Sequence, residues 1–302
     1  MLVGRMLLKS KMKLKISNNS TLTTDAELPA LENYLTVENK DYHKQKRIVG
    51  FAVPSWKFYK KKKNYYESID KTEYTYTFPR GVARFALNLL GIKNVQIEYD
   101  LIDNKVENQI YSYIKLRSYQ NEILEATKKN NIGIIVASVG SGKTVCACEI
   151  IHQKQVKTSI IVPNNTLLSQ WKEEIQKNLN YTAGIINGKE KNIKDITIIC
   201  VASLYNNPSL LKELVKNTGM LIVDECQNSP SPQNRKIIGE FKPQYLYGLT
   251  ATPYRGSDSF TPVLEFLFGK EIINIKGDNP KPYVDVYRTH SKVPIREYPE
   301  MI

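Results

Sequence analysis

Three short stretches of this 302-residue chain place residue types that handle phosphate at spacings that could bring them together. The first is Ala137-Ser138-Val139-Gly140-Ser141-Gly142-Lys143-Thr144, between an apolar run at 132–136 and a helix-like run at 145–151. A strand, a glycine-rich turn, Lys-Thr and a helix make a cradle for a nucleoside triphosphate. Gly140 and Gly142 let the backbone around Val139 and Ser141 curl until successive N–H groups face phosphate oxygens. The new helix adds its positive N-terminal end. Lys143 can reach the β- and γ-phosphates, and the Thr144 hydroxyl can hold Mg²⁺. The strict pattern has glycine at position 137, where this chain has alanine. A strand–helix turn without a ligand is the plainer reading of such a loop.

The second stretch is the apolar run Met220-Leu221-Ile222-Val223, which ends in Asp224-Glu225-Cys226-Gln227. An isolated Asp-Glu pair after a strand is commonly just an acidic loop. Following a phosphate loop at this distance, it is placed for Asp224 to anchor a Mg²⁺ shell and Glu225 to orient and deprotonate water. In the third stretch, Tyr245 to Leu249 leads into Thr250-Ala251-Thr252-Pro253, where Thr250 and Thr252 could sense the nucleotide and pass on its state. Three strands, each with chemistry at its carboxyl end, describe one site at the rim of an open α/β sheet.

The elements between these stretches alternate as such a sheet requires. Residues 118–129 suit a helix with Ile123 and Leu124 inward and Glu125 paired with Lys129 outside. Residues 158–162 suit a strand, and Asn164 suits the cap of a helix whose Leu167, Leu168, Trp171 and Ile175 share one face. Trp171 is read as core. Strands near 183–187 and 196–201 and helices at 209–216 and 232–240 complete the alternation. A parallel sheet with helices on both faces follows.

Position by position, the chain resembles a superfamily 2 helicase or translocase. Ala137 to Thr144 resembles motif I, Asp224 to Gln227 motif II, and Thr250-Ala251-Thr252 motif III. Leu116-Arg117-Ser118-Tyr119-Gln120 resembles the Leu-Arg-Pro-Tyr-Gln signature upstream of motif I, and Val162 to Leu168 and Val201 to Leu204 resemble motifs Ia and Ib. The likeness covers about residues 112–275. It is nearest to phage-type DNA helicases and the xeroderma pigmentosum group B type of translocase. The resemblance implies a RecA-like lobe at 111–276 and ATP as fuel, its adenine edge read by Gln120 with Arg117. It implies contact of Pro163, Asn164, Thr166 and Ser203 with a nucleic-acid backbone, DNA before RNA. It also implies a second RecA-like lobe supplying arginine fingers, with 277–302 as the connector leading to it. Gln227 stands where the family has histidine or aspartate, and can still hydrogen-bond towards motif III.

Composition narrows the alternatives. The net charge is +13, with 19 Lys and Arg against 12 Asp and Glu in residues 1–110, so the basic excess is densest there and suits a polyanion partner. A lysine-rich chain that is merely basic is the other reading. Cys146, Cys148, Cys200 and Cys226 lack metal-ligand spacing and read as reduced core thiols of a cytosolic protein. No apolar run reaches membrane-spanning length, and residues 1–8 make a poor signal peptide. Met12 is a second candidate start.

Residues 1–110 read as a mixed α/β accessory domain. Strands are expected at 14–24, 48–53 and 74–78, with helices at 31–40 and 82–90. Between Trp56 and Tyr66 lie Lys60, Lys61, Lys62 and Lys63. Its rings could stack on bases while the lysines meet phosphates. Alternatively it is a basic hairpin turn, with aromatics on the strands and lysines in water. Thr77 to Gly81 resembles a segment ahead of the motor in phage-type helicases.

The reading that results is the ATP-binding half of a DNA helicase or translocase. Two rivals stand beside it: the motor part of a restriction or defence complex, and a truncated adaptor that binds nucleotide and nucleic acid without catalysis.

Overall fold

The computed structural model describes residues 12–39, 46–47, 55–69, 71–91, 93, 95–252 and 261–275. The strand expected at 48–53 and the connector at 277–302 lie outside the described residues.

In the accessory region, β1 (Met12–Ile16), β2 (Asn19–Thr24), α1 (Pro29–Tyr34), β3 (Thr36–Glu38) and β4 (Ser55–Lys57) come first. Then follow β5 (Lys60–Tyr66), β6 (Lys71–Pro79), α2 (Ala83–Leu90) and β7 (Val95–Tyr99). One five-stranded sheet runs β5-β6-β2-β1-β7, and β3 and β4 form a separate pair. The strand expected over 14–24 is a hairpin, broken at Ser17-Asn18 where the Ser20 hydroxyl donates to the Ser17 carbonyl at 2.8 Å. Short hydroxyl and amide side chains bond the backbone locally and so favour a turn. The helix expected at 31–40 stops at Tyr34, because Thr36 and Val37 are β-branched and pair with Lys57 and Trp56.

The lysine run differs most from expectation. Lys60–Lys63 are not a turn but half of an edge strand, paired with Thr77, Tyr76, Thr75 and Tyr74. Strand alternation sends Lys60 and Lys62 to one face and Lys61 and Lys63 to the other. Lys61 bonds Glu27 and Glu32, each at 2.9 Å, and these partners raise its pKa. The ring of Tyr74 lies under Lys63, 5.8 Å away. Lysine on an edge strand also discourages pairing with another chain.

The second sheet is parallel throughout, in the order β10-β11-β9-β12-β13-β8-β14. Its strands are β8 (Ile132–Ala137), β9 (Thr158–Val162), β10 (Gly184–Ile186), β11 (Ile196–Cys200), β12 (Met220–Val223), β13 (Tyr245–Thr250) and β14 (Glu271–Ile275). The helices are α3 (Ser118–Lys129), α4 (Lys143–Lys154), α5 (Asn165–Leu179), α6 (Pro208–Asn217), α7 (Pro232–Glu240) and α8 (Thr261–Phe268). Ile135, Ile160 and Ile222 face one core with Ile123, Ile150 and Trp171, whereas Ile134, Ile161 and Val223 face another with Leu214, Ile237 and Phe266. Burial on both faces is why these strands read as unbroken apolar runs. This is the expected RecA-like arrangement.

The second core continues into the accessory sheet through Met12, Leu14, Tyr76 and Phe78. Polar contacts fix the join. Arg80 is buried and donates to the carbonyls of Pro243 at 2.6 Å and Gln244 at 3.2 Å, and burial lowers its pKa to about 10. Asn18 donates to Ile238 O at 3.1 Å, and Lys242 pairs with Asp100 at 2.7 Å. A Cβ at Gly81 would stand 2.1 Å from the Glu265 carbonyl, so only glycine permits this approach to α8. Beyond β7, residues 100–117 lie along the lobe, bonding Lys242, Gln155 and Asn178 through Ile102, Val106 and Tyr113. Among the described residues no helix is long and apolar enough to cross a membrane.

Candidate nucleotide site

The loop after β8 is shaped before any ligand enters. Gly140 and Gly142 have φ of 77° and 82°, values that L side chains adopt only with strain. Ala137 is fully buried at the strand end. The Ser138 carbonyl accepts from the Ser141 amide at 3.2 Å and the Ser141 hydroxyl at 2.7 Å, while Lys143 Nζ donates to Ala137 O at 3.0 Å. Thr144, half-buried, stands in the first turn of α4, and Val139 is exposed at the loop tip.

Gln120 is buried against this loop. Its Oε1 accepts from the Arg117 amide at 2.8 Å, closing the start of α3, and its Nε2 donates to Ser141 O at 3.0 Å. Tyr119 donates to the same carbonyl at 3.2 Å and accepts from the Arg117 guanidinium at 3.0 Å. The closeness has a consequence at Gly142, where a Cβ would sit 2.5 Å from Gln120 Nε2. The residues upstream of the loop thus fit a surface that only glycine provides.

Asp224, next in chain after β12, is 7% exposed, and burial pushes its carboxyl above the usual carboxylate range despite two donors. Those donors are the Glu225 amide on Oδ1 at 2.9 Å and the Trp171 indole on Oδ2 at 2.8 Å. Glu225 has φ 48° and ψ 49°, a left-handed conformation costing about 1–3 kcal/mol for a residue with a side chain. From it runs a relay: Gln227 Nε2 donates to Glu225 Oε2, Thr250 Oγ1 donates to Gln227 Oε1 at 2.7 Å, and the Thr252 amide donates to Thr250 Oγ1 at 3.0 Å. The bond expected from Gln227 towards the third stretch is present.

On the same rim, Pro163 follows β9 and shares a small cleft with Asp224, Glu225 and Asn234. Asn164 caps α5, its Oδ1 accepting from the Leu167 amide at 3.0 Å, and Thr166 is exposed in the first turn. Ser203 lies in a short 3₁₀ turn after β11, the strand beside β9. Lys60–Lys63 stand apart from this rim, on the accessory sheet.

Two residues escape sequence reasoning. Trp171 belongs to the core as expected, but its N–H also holds the first carboxylate; a tryptophan among leucines at helical spacing gives no sign of a polar partner 53 residues away. Arg235 on α7 lies 4.7 Å from the Phe58 ring and has no signal in the sequence.

Comparison with known proteins agrees with this geometry. Residues 113–255 match the family described as the res subunit of type III restriction enzymes. A DNA 3'-5' translocase XPB2 of Sulfurisphaera tokodaii is 38% identical over 174 residues, 57% of this chain and 39% of that protein. A putative helicase 109L of Invertebrate iridescent virus 3 is 32% identical, covering 52% of this chain and 50% of its own. The chain therefore spans half or less of the length of these curated relatives. In fold it is similar to the UvsW helicase of bacteriophage T4, at 16% identity and a TM-score of 0.60, over 88% of this chain and all of that one.

Proposed function

We propose that this chain is the N-terminal part of a superfamily 2 DNA helicase, and that it binds ATP with Mg²⁺ at the β8–β12–β13 rim and couples its hydrolysis to movement on DNA, a reading supported by the match to the res-subunit family and by the similarity to a DNA 3'-5' translocase. The observation that carries this reading is the relay from Glu225 through Gln227 to Thr250 and Thr252, since it ties a catalytic carboxylate to a neighbouring strand end.

The residues fit both ligands. The amides around Gly140 and Gly142 and the start of α4 receive the phosphates, and Lys143 exchanges its bond to Ala137 O for phosphate oxygen. Gln120 keeps one N–H and one lone pair beyond its bonds to Ser141 and Arg117, which match the amino group and ring nitrogen of adenine. Thr144 and Asp224 offer hard oxygen donors suited to Mg²⁺ with water completing its shell. Held by these two residues, Mg²⁺ would supply positive charge against the β- and γ-phosphates. Trp171 and the Glu225 amide orient Asp224 for that task. Glu225 positions a water in line with the γ-phosphorus and takes its proton as the bond to the β-phosphate oxygen breaks. Pro163, Asn164, Thr166 and Ser203 meet the DNA backbone, and the similarity to a DNA 3'-5' translocase favours DNA over RNA. Arginine fingers from a second lobe complete the site in the whole protein.

The test measures ATP affinity with and without single-stranded DNA, beside GTP. Coupled sites raise each other's affinity by the same factor. ATP binding tightened by DNA and preferred over GTP is the expected result; equal ATP and GTP binding, or indifference to DNA, overturns the reading. A second reading, the motor subunit of a restriction or defence complex, draws on the description of the matched family.

A further inference from the structure

Arg235 is the least compensated cation in the described structure. It is half-buried, its Nε has no hydrogen-bond partner, and no ion pair or hydrogen bond engages its guanidinium among the described residues. Its guanidinium lies over the Phe58 ring, at 4.7 Å, and burial lowers its pKa. A cation withdrawn from water without an anion costs free energy, and a fold that keeps one has a use for it.

Its surroundings say what that use is. Arg235 lies where two grooves meet, both lined by Phe58 and Pro232. One, of about 360 Å³, runs between the accessory sheet and α7 and adds Lys57, Lys60 and Lys236 against the single acid Glu240. None of these three lysines forms an ion pair among the described residues. The other groove, of about 430 Å³, leads from Arg235 past Trp56 to Gln227, the middle of the relay from Glu225. On its far side α7 is tied to the turn that holds Ser203, because Tyr205 donates to Asn234 at 2.9 Å. Cations therefore line the first groove from Arg235 to the accessory sheet, and the second groove joins Arg235 to the motor rim. A regularly spaced polyanion fits that line, whereas a single small anion would need only one of its members.

We propose that the cleft between the accessory sheet and α7 holds the backbone of a nucleic-acid strand leaving the Ser203 turn, with Arg235 and Lys57, Lys60 and Lys236 as its phosphate contacts. This inference rests on the nucleic-acid reading above and deepens it. It assigns the grip of the accessory region to the cleft, which Lys60 lines and Lys61, Lys62 and Lys63 of β5 do not. It also places a strand phosphate beside Gln227, so that occupancy of the cleft is felt at the hydrolysis site.

The sign of the stability effect separates binding from structure. Single-stranded oligonucleotide binding by the full chain would be followed by fluorescence anisotropy across a salt series, together with thermal melting. Arg235→Met should leave Tm unchanged or raise it, because an unpaired half-buried charge is removed. It should also make the slope of log affinity against log salt shallower by about 0.7, one phosphate contact. Lys57→Ala with Lys236→Ala, both exposed, should lower the slope by about twice that amount, and decides the matter should Arg235→Met not fold. Unchanged slopes in a protein whose wild type binds the strand would overturn the cleft and leave the nucleic-acid reading standing. A wild type that binds no oligonucleotide would overturn that reading, and this inference with it.

Discussion

The rim of the parallel sheet and the edge of the accessory sheet both carry charge, but hold it differently. At the rim, Asp224, Gln120 and Gln227 are each fixed by two hydrogen bonds to partners that are themselves fixed. On β5, Lys60 and Lys62 extend into water, and Lys61 is spent on Glu27 and Glu32. Preorganised groups in a partly buried site act strongly on developing charge, whereas exposed lysines act weakly and are screened by salt. The first arrangement suits chemistry, and the second keeps an edge strand solvated and unpaired with other chains.

Substitutions can break that contrast, and the largest effect belongs to Glu225. Removing a general base costs about 10²- to 10⁴-fold in rate. Glu225→Gln should therefore abolish most ATP turnover in a steady-state assay while ATP affinity stays near wild type. Equal losses of both would erase the division of labour between Glu225 and Lys143.

Next comes Trp171→Phe, which keeps a ring in the core but removes the N–H on Asp224. A hydrogen bond to a charged group contributes about 1.5–3 kcal/mol. The Mg²⁺ concentration needed for half-maximal nucleotide binding should rise roughly ten- to a hundredfold by that measure, with Mg²⁺-free nucleotide affinity unchanged. An unmoved Mg²⁺ dependence would return Trp171 to a packing role alone.

Gly81→Ala probes the join between the two regions. With the Glu265 carbonyl 2.1 Å from the new Cβ, the backbone of α8 must shift. Overpacking of this kind costs about 1–3 kcal/mol, enough to lower Tm by several degrees in a melting curve. A Tm equal to wild type would mean that the accessory sheet docks more loosely than Arg80 and Gly81 indicate.

What was legible in the sequence follows the same contrast. Motif spacing pointed to the rim because the glycine-rich loop, acidic pair and threonines each sit on one local strand–turn unit, and unbroken apolar runs such as Ile196–Cys200 announced a doubly covered sheet. The accessory region was less legible because its register depends on cross-strand partners. Four lysines in a row look like a turn until Tyr74 and Tyr76 pair with them, and β7, which pairs parallel with β1, had no counterpart in the sequence reading. Trp171 and Arg235 were hidden for the same reason: their meaning lies in Asp224 and Phe58, far away in the chain.

The smallest expected effect is on β5 itself. Lys62→Ala should change the salt slope of DNA affinity by less than one phosphate contact, about 0.7. Lys61→Ala should leave the slope unchanged and act on stability through Glu32, which would lose the cation holding its pKa low. Salt titration and thermal melting of the two variants check this. A steep loss of DNA affinity in Lys61→Ala would mean that its ion pairs open to receive phosphate.

The central claim is that the loop from Ala137 to Thr144 receives the phosphates of ATP with Mg²⁺. Calorimetric titration of ATP and Mg²⁺ into the wild type and Lys143→Ala tests it most directly. The account predicts saturable binding by the wild type, weakened roughly tenfold or more without the ammonium, as for a lost charge-assisted bond. Indistinguishable affinities for the two proteins would contradict it.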